Sequence, residues 1–154
     1  MNRERLPSAG GVAAAAERIR DGVTRTPILP LEIRGRRLWA KAECLQQGGA
    51  FKLRGATNRL LQLSEDERKR GVVAFSSGNH ARGVAIAARR LGIRAIIVMP
   101  ADAPEVKRAA TAAEGAEIVL YDRANEDRVA IAARISAETG AGVGASFDDI
   151  HITS

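Results

Sequence analysis

One lysine in the sequence stands where its amine could act as a nucleophile. Lys52 lies between two large apolar residues, Phe51 and Leu53, and follows the glycine pair Gly48 and Gly49. Partial burial would lower the pKa of Lys52 and leave a neutral amine that could form a Schiff base with a carbonyl compound. The same residues also fit a solvated lysine that opens an amphipathic helix, because most lysines are exposed. This segment alone leaves both interpretations open.

A second segment, Ser76-Ser77-Gly78-Asn79-His80, has the composition of a small-anion site. It follows an apolar run that predicts a buried strand, and it precedes a predicted helix. The free N–H groups and the dipole at a helix N-terminus favour an anion, and glycine lets a ligand approach the backbone closely. Two hydroxyls and an amide would suit a carboxylate or a small phosphate. The alternative is an ordinary strand-to-helix turn with a serine cap.

The elements around these two segments alternate regularly between strand and helix. Apolar periodicity, caps and glycine stops predict helices over residues 8–20, 51–63, 79–91, 104–114 and 126–138. Alternating apolar and charged residues predict a strand over residues 37–42, and short apolar runs predict strands over residues 72–75, 94–99, 117–120 and 142–146. Residues 24–30 are expected to form a loop, because Pro27 and Pro30 cannot join a helix interior or a central strand. This order predicts an α/β fold with an open parallel sheet and helices on both faces.

Composition and charge argue against several classes of function. The chain has 154 residues, of which 45% are hydrophobic and only 3% aromatic, so we expect one domain with a thin, alanine-rich core. Its formal net charge is +6, but the arginines are scattered among acidic residues, and we therefore expect no nucleic-acid binding. No run approaches the roughly 20 apolar residues that span a bilayer, and no signal peptide follows Met1. We expect a cytoplasmic protein without a membrane partner.

The cysteine and histidine content limits redox and metal chemistry. Cys44 is the only cysteine, so no intramolecular disulfide can form, and we expect a buried structural thiol. His80 and His151 together with one cysteine cannot build a structural zinc site, so we expect no metal.

An ordered set of segments resembles the pyridoxal-phosphate-dependent threonine/serine dehydratase family. The segments are residues 25–27, 43–56, 76–83, 97–104, 115–119 and 147–149. That family has the tryptophan synthase β-like fold, fold type II, and the resemblance is to its N-terminal half. It implies that residues 1–44 belong to the large domain, that residues 45–147 form the small α/β domain, and that residues 148–154 are a truncated tail.

The resemblance implies pyridoxal 5′-phosphate as the cofactor and a role for three residues in binding it. Lys52 would hold the cofactor covalently and, once displaced by substrate, move the α-proton. Asn79 would hydrogen-bond the 3′ oxygen of the cofactor, and Phe51 would pack beside its ring.

The resemblance also assigns the substrate carboxylate to the second segment. Ser76, Ser77 and the backbone of Gly78, Asn79 and His80 would hold that carboxylate, in agreement with the anion site inferred from the residues. Ser77 matches the serine that serves as the acid/base on the second face in racemases of the family, and dehydratases carry a serine there too.

The implied reaction is β-elimination of L-threonine or L-serine to a 2-oxo acid and ammonia, and the threonine reaction belongs to isoleucine biosynthesis. Within the family, a serine racemase or another hydroxy-amino-acid lyase is an alternative. A non-catalytic remnant or small-molecule binding module is a further alternative, which would need no cofactor. The resemblance also implies a homo-oligomer for the full-length family.

The glycine-rich loop that cradles the cofactor phosphate in the family would lie after Asp149. The sequence reads Ile150 to Ser154 at that point and contains no such loop. We therefore expect this chain alone to have little or no activity, since Lys52 would lack the groups that position the cofactor.

Overall fold

The computed structural model describes residues 8–143, in which strands and helices alternate from residue 72 onward. The helices are α1 (Ala9–Arg18), α2 (Lys52–Leu61), α3 (Glu65–Arg70), α4 (Asn79–Leu91), α5 (Glu105–Ala112) and α6 (Arg128–Thr139). The strands are β1 (Ile28–Ile33), β2 (Arg36–Lys41), β3 (Val72–Phe75), β4 (Ala95–Pro100), β5 (Glu117–Tyr121) and β6 (Gly142–Val143). Three short 3₁₀ helices span Arg20–Gly22, Glu43–Leu45 and Gln47–Gly49.

The main sheet has four parallel strands in the order β5-β4-β3-β6. Strands β3 and β4 are central, and Val72 lies in register with Ala95 on one side and with Gly142 on the other. This arrangement confirms the predicted open parallel sheet. The last predicted strand begins at Gly142 as expected, and its residues 144–146 lie outside the described part of the chain.

Helices cover both faces of this sheet, as the alternation of strands and helices predicts. On one face, α2 and α4 pack over β3 and β4, and nine of the eighteen buried residues of this cluster are alanines. On the other face, Ala132 and Ile135 of α6 pack against Val73, Ile96 and Val98. The core is therefore alanine-rich as expected, and its small side chains allow neighbouring helices to lie close together.

Strands β1 and β2 form a separate antiparallel hairpin, and this corrects the prediction of a loop over residues 24–30. Pro30 lies within β1, opposite Trp39. Proline is tolerated there because β1 pairs on one side only among the described residues, so its missing N–H breaks no second ladder. Arg34 and Gly35 link the strands with φ values of 52° and 71°, the pattern of a type I′ hairpin turn.

Helix α3 is an element that the sequence prediction missed. It has only six residues, too few to show an apolar period. Its start was nevertheless visible in the sequence, because Ser64 and Glu67 form a capping box in which each side chain accepts a hydrogen bond from the other residue's N–H. By contrast, α4 has the predicted bounds and ends at Gly92, whose φ of 66° is left-handed.

Candidate active site

Lys52 is the first residue of α2, and its amine lies beside an aromatic ring. Lys52 is half-buried, and its Nζ lies 5.0 Å from the centroid of the Phe51 ring. Phe51 itself is 58% exposed although it is a large apolar residue. An exposed ring beside an amine leaves an aromatic surface that can pack on a flat ligand held by that amine.

Helix α4 touches the backbone of Lys52 through a glycine. A Cβ atom at Gly83 would lie 3.1 Å from the carbonyl carbon of Lys52 and 3.1 Å from the backbone nitrogen of Leu53. Such a contact is tighter than most Cβ atoms make, so glycine at this position favours the close approach of the two helices. Because Gly83 lies about one helical turn, or ~6 Å, beyond Asn79, this contact fixes the start of α2 relative to the start of α4.

Residues 76–80, which we call the serine corner, join β3 to α4. The backbone N–H of Ser76 donates to the Val98 carbonyl at 3.1 Å, which continues the pairing of β3 with β4. Gly78 is the N-cap residue of α4, so neither serine caps this helix in the ordinary way. The hydroxyl of Ser76 instead accepts a hydrogen bond from the N–H of Gly78 at 3.3 Å.

The five predicted residues of the serine corner differ in exposure. Ser76, Ser77 and Gly78 are half-buried, Asn79 is exposed, and the side chain of His80 is buried. The corner follows the carboxyl end of a central parallel strand, which is where ligands bind in open α/β sheets. Helix α4 therefore begins at the predicted anion site and, one turn further on, contacts the backbone of Lys52.

An ion pair next to Lys52 was missed by the sequence reasoning. Arg54 donates from Nε to Glu43 Oε2 at 2.9 Å and from a terminal nitrogen to Glu43 Oε1 at 2.8 Å. The same guanidinium donates to the Thr24 carbonyl at 3.1 Å, and the Thr26 hydroxyl donates to Glu43 Oε1 at 2.7 Å. A bidentate pair of this kind is strongly directional. It joins α2 to the segment before β1 and to the 3₁₀ helix at residues 43–45.

These contacts change the pKa of Glu43. The hydrogen bonds from Arg54 hold the pKa of the Glu43 carboxyl below its ordinary value of 4.5, helped by the Thr26 hydroxyl, while burial acts in the opposite direction. Because the pKa of Glu43 is lower in the folded chain than in the unfolded chain, its carboxylate stabilises the fold at any pH above the unfolded-state pKa. That contribution is lost as the pH falls below about 4.5 and through the lower folded-state pKa.

We expect Glu43→Gln to reduce the loss of stability between pH 7 and pH 3, because the variant has no carboxylate to protonate at this position. Urea unfolding at both pH values measures this difference. Asp21→Asn is the control, since the Asp21 side chain is 94% exposed and its ion pair with Arg20 is long, at 3.7 Å. An equal pH dependence in the wild type and in Glu43→Gln would show that this ion pair is not stabilising.

Cys44 corrects another expectation. It is exposed rather than a buried thiol, because it lies in the short 3₁₀ helix at residues 43–45 on the surface. Within residues 8–143, no group of three or more His, Cys, Asp or Glu side chains could hold a metal ion. No helix in that same part of the chain combines the length and apolar character needed to cross a bilayer.

Comparison with known proteins finds relatives that match most of this chain. A serine racemase of Schizosaccharomyces pombe is 44% identical over 151 residues, which cover 96% of this chain and 47% of the racemase. An L-threo-3-hydroxyaspartate ammonia-lyase of Saccharomyces cerevisiae is 47% identical over 139 residues, or 88% of this chain and 43% of the lyase. The chain thus spans about half the length of the curated relatives that it matches.

A solved structure also resembles this chain along most of its length. A threonine deaminase from T.th. superposes with a TM-score of 0.83 at 42% identity, over 95% of this chain and 47% of the deaminase. The family described as pyridoxal-phosphate dependent enzyme matches residues 19–154. These findings confirm the resemblance, the fold class and pyridoxal 5′-phosphate as the family's cofactor. The chain belongs to the family of pyridoxal-phosphate-dependent enzymes.

Proposed function

We propose that this chain carries the cofactor-binding lysine of a lyase that releases ammonia from a β-hydroxy amino acid, with L-threonine or L-serine as substrate. The observation that carries the proposal is the placement of Lys52. The residue is half-buried, its amine lies beside the exposed ring of Phe51, and its backbone packs on Gly83, one turn along α4 from the serine corner.

The residues of this site fit the cofactor chemically. Lys52 supplies the primary amine that a pyridoxal aldehyde requires, Phe51 supplies a flat apolar neighbour for the pyridine ring, and Asn79 supplies an amide for the 3′ oxygen. When bound, the cofactor supplies an electron sink that stabilises negative charge at the substrate Cα.

The protein's own groups would then bind the substrate and move its α-proton. The hydroxyls of Ser76 and Ser77 and the N–H groups of residues 78–80 would hold the substrate carboxylate, since a helix N-terminus favours an anion. The carboxylate would thereby orient the α-proton toward the Lys52 amine, which would act as the general base. Loss of the β-hydroxyl and hydrolysis of the released enamine give a 2-oxo acid and ammonia.

A second activity within the family is supported by Ser77 and by the racemases among the relatives. The named relatives act on serine, threo-3-hydroxyaspartate and threonine, which all carry a β-hydroxyl. Racemisation needs an acid on the face opposite Lys52, and Ser77 is the candidate. Elimination is measured as 2-oxo acid and ammonia, and racemisation as the D-amino acid. Assay of both products from L-threonine, L-serine and L-threo-3-hydroxyaspartate separates the two reactions.

The cofactor site can be tested directly by covalent trapping. The sequence contains four lysines: Lys41, Lys52, Lys69 and Lys107. Pyridoxal 5′-phosphate is added at low concentration, the adducts are reduced with borohydride, and peptides are mapped by mass spectrometry. We expect labelling of Lys52 to exceed that of each of the other three lysines at least tenfold, because the Phe51 ring beside its amine can stack on the pyridine ring and hold the aldehyde close to the amine.

The other lysines are internal controls for this experiment, and Lys52→Ala should remove the dominant adduct without increasing the others. Equal labelling of all four lysines would overturn the assignment of Lys52. It would instead favour the alternative of a binding module that uses the serine corner without a cofactor.

A further inference from the structure

A surface cavity of about 470 Å³ lies where α2 and α4 meet the end of α1, and we call it the α1–α2–α4 cavity. Its lining includes Arg18, Thr57, Leu61, Ala87, Arg90 and Leu91. The volume lies within the range of roughly 300–1,000 Å³ that is usual for small-molecule sites. The cavity is remote from the serine corner, because Leu91 ends α4 and lies ~18 Å along the helix from Asn79.

Thr57 lines this cavity and has a buried hydroxyl that lacks a hydrogen-bond partner. The residue is 4% exposed, and its Oγ1 makes no hydrogen bond within residues 8–143. Its methyl group packs against Gly22, where an added Cβ would lie 2.9 Å from Thr57 Cγ2. The hydroxyl therefore cannot turn toward another group unless the methyl leaves this contact. Because a buried hydroxyl without a partner is unfavourable, it would gain from donating to a group that enters the cavity.

Two guanidinium groups from different helices line the same cavity. Arg90 donates to the Gly22 carbonyl and to Gln47 Oε1. Arg18 donates to Asn58 Oδ1 at 2.5 Å. Since a guanidinium carries five N–H donors, neither cation is saturated by these contacts. The contacts instead hold both guanidinium groups in place beside the cavity.

The cavity is positively charged on one side and apolar on the other. Its one carboxylate, Asp21, has a side chain that is 94% exposed and that lies 3.7 Å from Arg20, outside the lining. The guanidinium groups therefore favour an anion. Three apolar side chains complete the lining, namely Leu61, Ala87 and Leu91. A ligand that complements both sides has an anionic group and an organic group.

We propose that the α1–α2–α4 cavity binds a small phosphomonoester. A carboxylate has two oxygens and a single charge, so one guanidinium is enough for it. A phosphomonoester has three terminal oxygens and a charge of about −1.5 to −2, which matches two guanidinium groups and a hydroxyl together. Its organic group packs on Leu61 and Leu91. This proposal is independent of the reaction at Lys52, since the cavity shares no lining residue with that site.

NMR titration of the ¹⁵N-labelled full chain with phenyl phosphate tests the cavity without a variant. We expect saturable shifts of the Nε–Hε signals of Arg18 and Arg90 and of the amides of residues 87–91. Inorganic phosphate should bind roughly fivefold more weakly, because it leaves the apolar side uncovered. Equal affinity for the two probes, or the same shifts with sodium chloride at equal ionic strength, would overturn the proposal, the latter because only charge screening would be acting.

Thr57→Val removes the hydroxyl and keeps the branched shape of the side chain. Because this hydroxyl has no partner in the free chain, the variant should be at least as stable to urea as the wild type, yet bind phenyl phosphate roughly tenfold more weakly. Thr111→Val is the matched control, since Thr111 is also buried in a helix but donates to the Lys107 carbonyl at 2.9 Å, away from the cavity. Equal dissociation constants for the two variants would contradict the proposal.

The serine corner is a second expected anion site, and the same titration separates the two sites. Ser77→Ala should reduce the shifts at residues 76–80 and leave those of Arg18 and Arg90 unchanged. If Ser77→Ala removes both sets of shifts, the response belongs to the serine corner and the cavity is rejected. Saturable shifts at Arg90 without any at residues 76–80 would support the cavity and count against the anion site of the proposed function.

Discussion

Replacing Gly83 with valine is expected to push α2 away from α4 and to displace Lys52. The added Cβ would lie 3.1 Å from two backbone atoms of residues 52 and 53, and the two methyl groups would need still more room. Backbone atoms cannot rotate away as a flexible side chain can, so the helices must separate. Overpacking of this kind costs about 1–3 kcal/mol, a large part of the ~5–15 kcal/mol that stabilises a typical domain.

This substitution should also affect the reactivity of Lys52 in the molecules that remain folded. A displacement of about 1 Å at a catalytic group can reduce a rate by ~100-fold. We therefore expect Gly83→Val to reduce the trapping of pyridoxal 5′-phosphate on Lys52 at least tenfold under conditions in which the variant remains folded. Urea unfolding and peptide mapping measure the two effects separately.

Gly10→Val is the matched control for this experiment. Gly10 also lies within a helix and is exposed, and a Cβ at that position meets no atom within 4 Å. Its valine variant should unfold within about 0.5 kcal/mol of the wild type and label normally. If Gly83→Val labels Lys52 as well as Gly10→Val does, then the contact between the helices does not position the lysine.

Replacing Ile97 with alanine is expected to cost about 2–5 kcal/mol of unfolding free energy. Ile97 is fully buried in the central strand β4 and belongs to the cluster beneath α2 and α4. Its partner in register on β3 is Ala74, whose short side chain cannot reach into the space left behind. Because half of the surrounding cluster is alanine, the cavity should stay largely open, and the cost should lie in the upper part of this range.

Two further variants give reference values for the loss of unfolding free energy in Ile97→Ala. Ile97→Val removes one methylene group and should cost about 0.5–1.5 kcal/mol. Val129→Ala on α6 should change stability by no more than about 0.5 kcal/mol, because Val129 is 53% exposed. A cost for Ile97→Ala below about 1 kcal/mol would mean that the core collapses around the substitution in spite of its small side chains.

The sequence predicted the part of the fold in which local signals and tertiary packing agree. Helix α4 is the best example, because its apolar face is fully used by the core and Gly92 ends it with a left-handed residue. The buried strands β3 and β4 were likewise visible as short apolar runs. Lys52 and the serine corner were singled out as candidates because each lies at the start of a helix in a segment rich in small residues, and because the two segments together resemble the family.

The rest could not be predicted, for reasons that differ from one case to the next. Pro30 argued against a strand because a proline cannot join a central one, and only the pairing of β1 with β2 shows that it stands at an edge. Cys44 was expected to be buried because free cysteines are often buried. That tendency says nothing about where the chain runs at this position, which is on the surface. The role of Gly83 depends on the distance between α2 and α4. The role of Glu43 depends on its ion pair with Arg54, eleven positions away in the sequence.

The order of strands in the main sheet has a consequence for synthesis on the ribosome. Strand β3 ends at Phe75, but its second neighbour, β6, begins only at Gly142, 67 positions later. At about 5–20 residues per second, β3 waits roughly 3–13 s with one edge unpaired after its own translation. An open strand edge is a template for pairing with other chains. The nascent polypeptide is therefore most exposed to aggregation and to chaperones in the interval before residue 142 emerges, and slower translation between β3 and β6 lengthens that interval.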